Sequence, residues 1–179
     1  MEKTFGTPAR YYALYSSHIE TPLGTMLAIA DNTSLYLLEF TDRTGLNNEI
    51  QRLLEKTKAT LTPEETAPLM TIESELQNYF AGTLKKFTTP LFLSGSPFQK
   101  TVWLELQKNP YGQTRSYKNL ATAVGNPNAC RAVAQANGAN QLAIIIPCHR
   151  VINANGNLGG YSGSAARKKW LITHEKQNS

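Results

Sequence analysis

Cysteine is scarce in this sequence of 179 residues: Cys130 and Cys148 are the only two, and no C-x-x-C spacing occurs. Two cysteines cannot build a disulfide framework, so the composition fits a reducing compartment and predicts a cytoplasmic protein. Residues 1–97 hold no cysteine and a single histidine, His18, too few ligands for a zinc site in that half. Long apolar runs are also missing. The longest, Leu142–Pro147, is far short of the roughly 18 residues that span a bilayer, so no membrane segment is expected. Met1-Glu-Lys-Thr-Phe-Gly6 has no apolar stretch behind its charges, which predicts no secretory signal. Gly159-Gly160-Tyr-Ser-Gly163 looks like a phosphate-binding loop but lacks the G-x-G-x-x-G spacing and any preceding strand–helix unit.

Acidic residues almost vanish from the second half. From Gly95 onward, ten Lys/Arg face only Glu105 and Glu175, whereas the preceding residues carry eight Lys/Arg and eleven Asp/Glu. A basic half joined to a mildly acidic one fits an anionic polymer as partner of the second half; a solvated basic surface gives the same count. With 41% hydrophobic and 17% charged residues, the chain is a folded globule of one ordinary domain or two small ones.

The first half reads as strands followed by helices. Tyr11–Ile19, Thr25–Ala30 and Ser34–Thr41 are β-rich runs separated by the turn signals Glu20-Thr-Pro-Leu-Gly24 and Asp31-Asn32, which predicts an antiparallel meander. Leu46, Ile50, Leu53 and Leu54 recur at helical spacing over Leu46–Lys56. A second helix covers Leu69–Phe80 and stops at Gly82, and Pro90–Leu93 is a candidate last strand. Ser94-Gly-Ser-Pro97 is the best boundary, dividing the chain into 1–93 and 94–179.

Beyond it, a helix over Phe98–Gln107 closes at Asn109-Pro-Tyr-Gly112. Ser116 is placed to cap a short helix, Tyr117–Val124. After Gly125-Asn-Pro127 a second short helix, capped by Asn128 or a neighbour, runs to about Asn137. Helix, glycine turn and helix at this length form a helix-turn-helix pattern. The second helix, Ala129-Cys-Arg-Ala-Val-Ala-Gln-Ala136, is nearly all small side chains with one long cation, Arg131. A helix that reads base edges presents several long polar side chains. Small ones let the backbone approach a wall, either sugar-phosphate or neighbouring protein.

Leu142-Ala-Ile-Ile-Ile146 reads as a buried strand that ends in Pro147-Cys148-His149-Arg150. Burial makes a thiol inert unless a partner stabilises its thiolate, and His149 is the nearest partner. Adjacent side chains diverge, so a water bridge between imidazole and thiol is expected, with Glu105 or Glu175 orienting the ring. A structural cysteine beside a chance histidine is the bland alternative.

Ile-Pro-Cys148-His149-Arg150-Val151, then Asn155-Gly156, Gly160-Tyr161-Ser162-Gly163 and Trp170-Leu-Ile-Thr-His-Glu175, resembles the O6-alkylguanine-DNA alkyltransferases. Upstream, Phe98-Gln-Lys-Thr-Val-Trp103, Pro110-Tyr-Gly112, Thr114-Arg-Ser-Tyr117 and Arg131-Ala-Val133 fall in that family's order and spacing. The resemblance covers residues 97–175. The first half is similar only in element order and the Thr21-Pro-Leu-Gly24 turn.

The resemblance implies an α/β (α+β) fold. Residues 1–93 would be a ribonuclease H-like small antiparallel sheet with helices, and 94–179 a mainly helical, winged helix-turn-helix-like DNA-binding domain. It implies Cys148 as alkyl acceptor, His149 as water-linked base and Glu175 as its orienting carboxylate. Asn140 would brace the active-site turn, and Tyr117 would rotate the target phosphate and bond the flipped base. Tyr161, Ser162 and the Val151 carbonyl would form the guanine pocket. Arg131 would enter the stack, with Ser116, Lys118, Asn126 and Ala132 also at the DNA. The implied partner is duplex DNA carrying O6-alkylguanine or O4-alkylthymine, met by a monomer able to bind cooperatively. No cofactor and no metal are implied; the family's mammalian members hold an N-terminal zinc, for which the ligands are missing here. The chain resembles the stand-alone constitutive bacterial form rather than one fused to a sensor domain.

Three rivals remain from the residues alone. A pure DNA-binding module leaves the Pro-Cys-His-Arg segment and Asn140 as coincidences. A cysteine hydrolase needs a histidine in direct reach of the thiol, and neither His18 nor His174 lies in a supporting motif. A redox pair of Cys130 and Cys148 has no C-x-x-C, and Cys130 reads as a packing residue of the docking helix.

Overall fold

The computed structural model describes residues 12–179; Tyr11, the expected first residue of the first strand, and the Met1–Gly6 segment lie outside the described residues. Strands β1 (Tyr12–Ile19), β2 (Met26–Ala30) and β3 (Leu35–Phe40) form the expected antiparallel meander. The sheet carries a strand that pattern reading missed: β4 (Ala59–Pro63) pairs parallel to β1, giving the order β3-β2-β1-β4. Its Ala-Thr-Leu-Thr-Pro sequence is too short and polar to read as a strand. It forms because α1 (Leu46–Thr57) returns the chain to the free edge of β1, and Pro63 is tolerated at such an edge.

Every residue of β2 and β3 is buried, because both faces of the sheet are covered. Leu14, Leu27, Ile29 and Leu37 pack under Leu46 and Leu53 of α1. On the other face Met26, Ala28, Ala30, Leu38 and Phe40 meet Ile72, Leu76 and Tyr79 of α2 (Ala67–Phe80) and then, without a break, the core of the second half. Pro90–Leu93 does not become a strand; it makes one parallel bridge, Leu35 to Leu91, against the edge of β3.

Ser96 starts α3 (Pro97–Gln107) with a reciprocal capping box: its Oγ accepts the Gln99 N–H at 3.2 Å while Gln99 Oε1 accepts the Ser96 N–H at 2.8 Å. The two-residue strand β5 (Arg115–Ser116) leads into α4 (Tyr117–Ala123), which Ser116 caps by accepting the Asn119 N–H at 3.1 Å. After the Gly125 turn, α5 (Cys130–Gly138) begins at Ala129 with no side-chain cap, so the expected Asn128 cap gives way to its neighbour. Trp103 Nε1–H donates to the Ala136 carbonyl at 2.8 Å and pins α3 to α5. A short strand β6 (Val151–Ile152) pairs parallel with β5, and α6 (Ala165–Gln177) closes the chain against α2.

Leu142–Ile146 is not the buried strand that its apolar run predicts. Leu38 pairs only with the start of the segment, through Gln141 O and Ala143 N at 2.8 and 2.9 Å. The chain then coils into tight turns: Ile145 N–H reaches Ala143 O at 2.9 Å around Ile144, whose φ is +72°. That conformation is rare and strained for a β-branched residue. Burial of Ile144 and Ile146 holds it in place, and so does Asn140.

Candidate active site

Asn140 is buried behind the turn and substitutes for the missing β-ladder. Its Oδ1 accepts the Leu142 N–H at 3.0 Å, and its amide lies 2.9 Å from Ile146 O and 3.3 Å from Leu142 O. The same amide is 3.2 Å from Cys148 Sγ. Two N–H groups therefore serve three acceptors, so the thiol sulfur competes with backbone carbonyls for a donor. A single 3₁₀ turn, Cys148–Arg150, follows Pro147 and buries all three of its side chains.

Cys148 is 3% exposed, and burial pushes its thiol up to about 11, with Asn140 and Lys168 pulling down and Glu39 pushing up. At rest the thiol holds its proton at neutral pH. His149 Nε2 lies 2.7 Å from Glu175 Oε1, and burial lowers the ring's pKa, so the imidazole is neutral. Glu175 is held far below the usual carboxylate range by His149 and Arg150, against the push of burial. An ionised carboxylate only accepts, so Nε2 carries the hydrogen and Nδ1, which bonds no protein group, keeps its lone pair.

Glu175 is the best-partnered carboxylate of the site. Oε2 accepts Arg150 Nε at 2.7 Å and the Gly112 N–H at 3.2 Å; Oε1 accepts Arg150 Nη2 at 3.0 Å and the Tyr79 hydroxyl at 2.8 Å. Gly112 sits at φ +76°, and a Cβ there would lie 3.1 Å from the Glu175 carbonyl, which explains the glycine in Pro110-Tyr-Gly112. Of the two carboxylates the sequence left open, Glu105 is spent elsewhere, on Lys108 and Arg115.

A cleft of about 560 Å³ opens onto Cys148. Its walls are α5 (Cys130, Arg131, Ala134, Asn137), Tyr117 of α4, and the Gly159–Ser162 loop. Arg131 and Ser162 are exposed at its mouth, while the hydroxyl of Tyr161 is buried without a protein partner. Lys118 of α4, Asn126 of the turn and Ala132 of α5 lie exposed.

One expectation shifts. Val151 does not line the cleft: it is fully buried, and its carbonyl accepts Lys168 Nζ at 2.6 Å, leaving one lone pair for any further donor. Ser116 forms the expected α4 cap and is half-buried, its hydroxyl proton still free to donate. Cys130, read as a packing residue, does pack half-buried against the core, and it also forms part of the cleft wall.

Lys168 is the residue that sequence reading missed most completely. It is fully buried on α6, also donates to Gly160 O at 3.2 Å, and burial brings its pKa down to about 8. It thus ties the cleft loop to β6 and places a cation near the thiol. The run Arg167-Lys168-Lys169 reads as solvated charge, and nothing local marks the middle lysine as buried. Tyr79 and Asn137, whose amide donates to the Cys148 carbonyl at 3.3 Å, escaped for the same reason. Among the described residues, no cluster of three His, Cys, Asp or Glu could hold a metal, and no helix is long and apolar enough to cross a membrane.

Residues 11–93 match the family described as 6-O-methylguanine DNA methyltransferase, ribonuclease-like domain, and residues 97–177 match its DNA binding domain. The constitutive methylated-DNA--protein-cysteine methyltransferase of Bacillus subtilis is 40% identical over 163 residues, spanning 90% of this chain and 95% of that protein. The methyltransferase of the same name from Methanosarcina acetivorans is 39% identical over 92% of this chain and 97% of its own. Among solved structures, Mycobacterium tuberculosis OGT in complex with DNA superposes with a TM-score of 0.79 at 36% identity, covering 93% of this chain and 94% of that one.

Proposed function

The chain belongs to the 6-O-methylguanine DNA methyltransferase family, and from that premise we propose a direct-reversal repair protein that moves the alkyl group of O6-alkylguanine in duplex DNA onto its own Cys148. The observation that carries this is the thiol at the floor of a cleft of about 560 Å³, backed by a neutral His149 whose far nitrogen is locked onto an ionised Glu175. The partner is DNA. In the finer reading, the basic second half, residues 94–179, docks α5 in the minor groove while residues 1–93 form a ribonuclease-like scaffold. The protein acts as a cytoplasmic monomer, able to bind DNA cooperatively, and O4-alkylthymine is a second substrate.

Dealkylation is an SN2 displacement at an sp³ carbon. The Cys148 proton passes through a bridging water to His149 Nδ1, and Glu175 stabilises the imidazolium that forms. Sulfur attacks the alkyl carbon, and the C–O6 bond breaks with its electron pair moving to the guanine oxygen. The charge left on the guanine is stabilised by hydrogen bonds from the Tyr117 hydroxyl and the groups around Ser162, and N1 takes up one proton as His149 releases the one it received from Cys148. The products are a thioether and an unmodified base. A thioether is a poor leaving group, so each molecule reacts once. Extruding the nucleotide costs a few kcal/mol of stacking and pairing, which Arg131 partly offsets by filling the vacated space.

The test is the mass of the protein and its peptides after mixing with a duplex bearing one O6-methylguanine. A gain of one methylene on the Cys148 peptide, saturating at one per molecule, supports the reading. A protein that binds the duplex and stays unmodified overturns it in favour of a binding module.

A further inference from the structure

Among the described residues, the first half of the chain sends one side chain to the relay carboxylate. Tyr79, near the end of α2, is fully buried, and its hydroxyl donates at 2.8 Å to Glu175 Oε1, the oxygen that also receives His149 Nε2 at 2.7 Å and Arg150 Nη2 at 3.0 Å. The ring is packed by Phe80, Phe87, Tyr111 and His174, with centroids 5.4, 5.5, 6.1 and 5.5 Å away. The Tyr79 carbonyl accepts His174 Nε2 at 2.8 Å. Both ends of one residue are thereby tied to consecutive residues of α6. A phenylalanine would fill the aromatic cluster equally well; what the tyrosine adds is a donor at the oxygen that holds the base.

We propose that Tyr79 is a positioning residue of the transfer reaction: from the first half of the chain, it sets through Glu175 how strongly His149 holds a proton. This rests on the alkyl-transfer reading above, and it makes the first half a contributor to the chemistry rather than a scaffold alone. A donor on a carboxylate spreads its charge and weakens it as a counter-ion. Without the Tyr79 hydroxyl, Glu175 pulls harder on the Nε2 proton and favours the imidazolium. His149 then stays protonated to higher pH and is lost as a base there. The groups facing Glu175 are Tyr79 from α2, Tyr111 and Gly112 from the loop after α3, and His149 and Arg150 from the 3₁₀ turn. Those facing His149 are Glu175 and Lys168 of α6 and its neighbour Arg150. The phenol of Tyr79 is itself held well above its ordinary value by burial, so it remains a donor throughout the working range.

The experiment measures the single-turnover rate of methyl transfer to Cys148 from an O6-methylguanine duplex between pH 5 and 9, with melting temperatures alongside. Tyr79→Phe keeps the ring and removes the donor. Its acid-limb midpoint should rise by roughly half to one unit, slowing transfer about threefold at the wild-type midpoint. Placing 3-fluorotyrosine at position 79, a stronger donor, should move the midpoint down. Phe87→Leu, which loosens the same cluster, should lower the melting temperature and leave the midpoint in place. A wild-type midpoint in both position-79 variants, or an equal shift in Phe87→Leu, overturns the assignment. Absence of a methyl gain on wild-type Cys148 removes the transfer reading itself, and this inference with it.

Discussion

A buried thiol is a weak nucleophile while it keeps its proton, and Cys148, pushed up to about 11, keeps it at rest. In the proposed reaction, reactivity therefore comes from groups that act once substrate fills the cleft: the neutral His149 and the Lys168 cation. Cys148→Ala should abolish methyl transfer while leaving duplex affinity within about twofold; loss of binding as well would make the cysteine structural. Lys168→Met should slow transfer about tenfold or more and move the titration of the Cys148 thiol to higher pH, as its reaction with a thiol reagent across pH would show, since a nearby cation favours the thiolate. Glu39 gives a prediction for stability. This carboxyl is fully buried on β3, 3.2 Å from Arg43 but not aligned with it as a hydrogen bond, and burial raises it to about 7 from 4.5. The folded state therefore binds this proton more tightly than the unfolded one. The resulting stability is complete below pH 4.5 and lost as pH rises through 7. Against Glu39→Gln, the wild type should lose up to about 3 kcal/mol between pH 4.5 and 8. A pH-independent difference in denaturant unfolding would mean that Glu39 is not neutral in the fold.

At the scale of elements, the active-site turn depends on one side chain where a strand would have used a ladder. Asn140→Ala leaves the Leu142 N–H unpaired in the core and takes one of two donors from each of the Leu142 and Ile146 carbonyls, beside the strained Ile144. The expected cost is about 2–4 kcal/mol, read by denaturant unfolding, with transfer lost in any protein that still folds. Helix α5 makes a different demand. Its exposed face is small, so a long anionic side chain there should block close approach without disturbing the fold. Ala132→Glu should weaken duplex binding at least tenfold at unchanged melting temperature; unaltered binding would move the docking surface off α5.

The whole molecule is built on a core that runs from the sheet through α2 into α3–α6. The sequence shows a composition boundary at Ser94–Pro97, but the packing there is continuous. Heat unfolding followed by Trp103 and Trp170 fluorescence and by far-UV circular dichroism should therefore give one coincident transition. The charge asymmetry belongs to this scale too. Duplex affinity should fall linearly on a log–log plot against salt, and Lys118→Ala should flatten the slope by about 0.9. A slope unchanged by that substitution would free Lys118 from phosphate contact.

Much of this was written locally. Capping residues and apolar periods placed α1, α2, α3 and α4 to within two residues, because the signals that start and stop a helix lie within a turn of it. The Pro-Cys-His-Arg segment was legible as chemistry because its residue types serve little else in that order, whereas Asn140 came only with the family resemblance and the residues left Glu175 open against Glu105. The misses share one cause. β4 exists because β1 offers it an edge, Leu142–Ile146 bends because Asn140 satisfies its backbone, and Lys168 is buried because Val151 and Gly160 offer it carbonyls. β4 and Lys168 depend on partners farther away along the chain, and the Asn140 turn, though its residues are neighbours, depends on the burial around it, which no window of sequence contains. The sequence alone determined the family, the candidate nucleophile and the basic half. Only the tertiary structure decided that Glu175 rather than Glu105 holds the base, that the Val151 carbonyl is occupied, and that Tyr79, 96 residues away, reaches the same carboxylate. Side-chain chemistry is carried by each residue, whereas burial and pairing are properties of the packed whole.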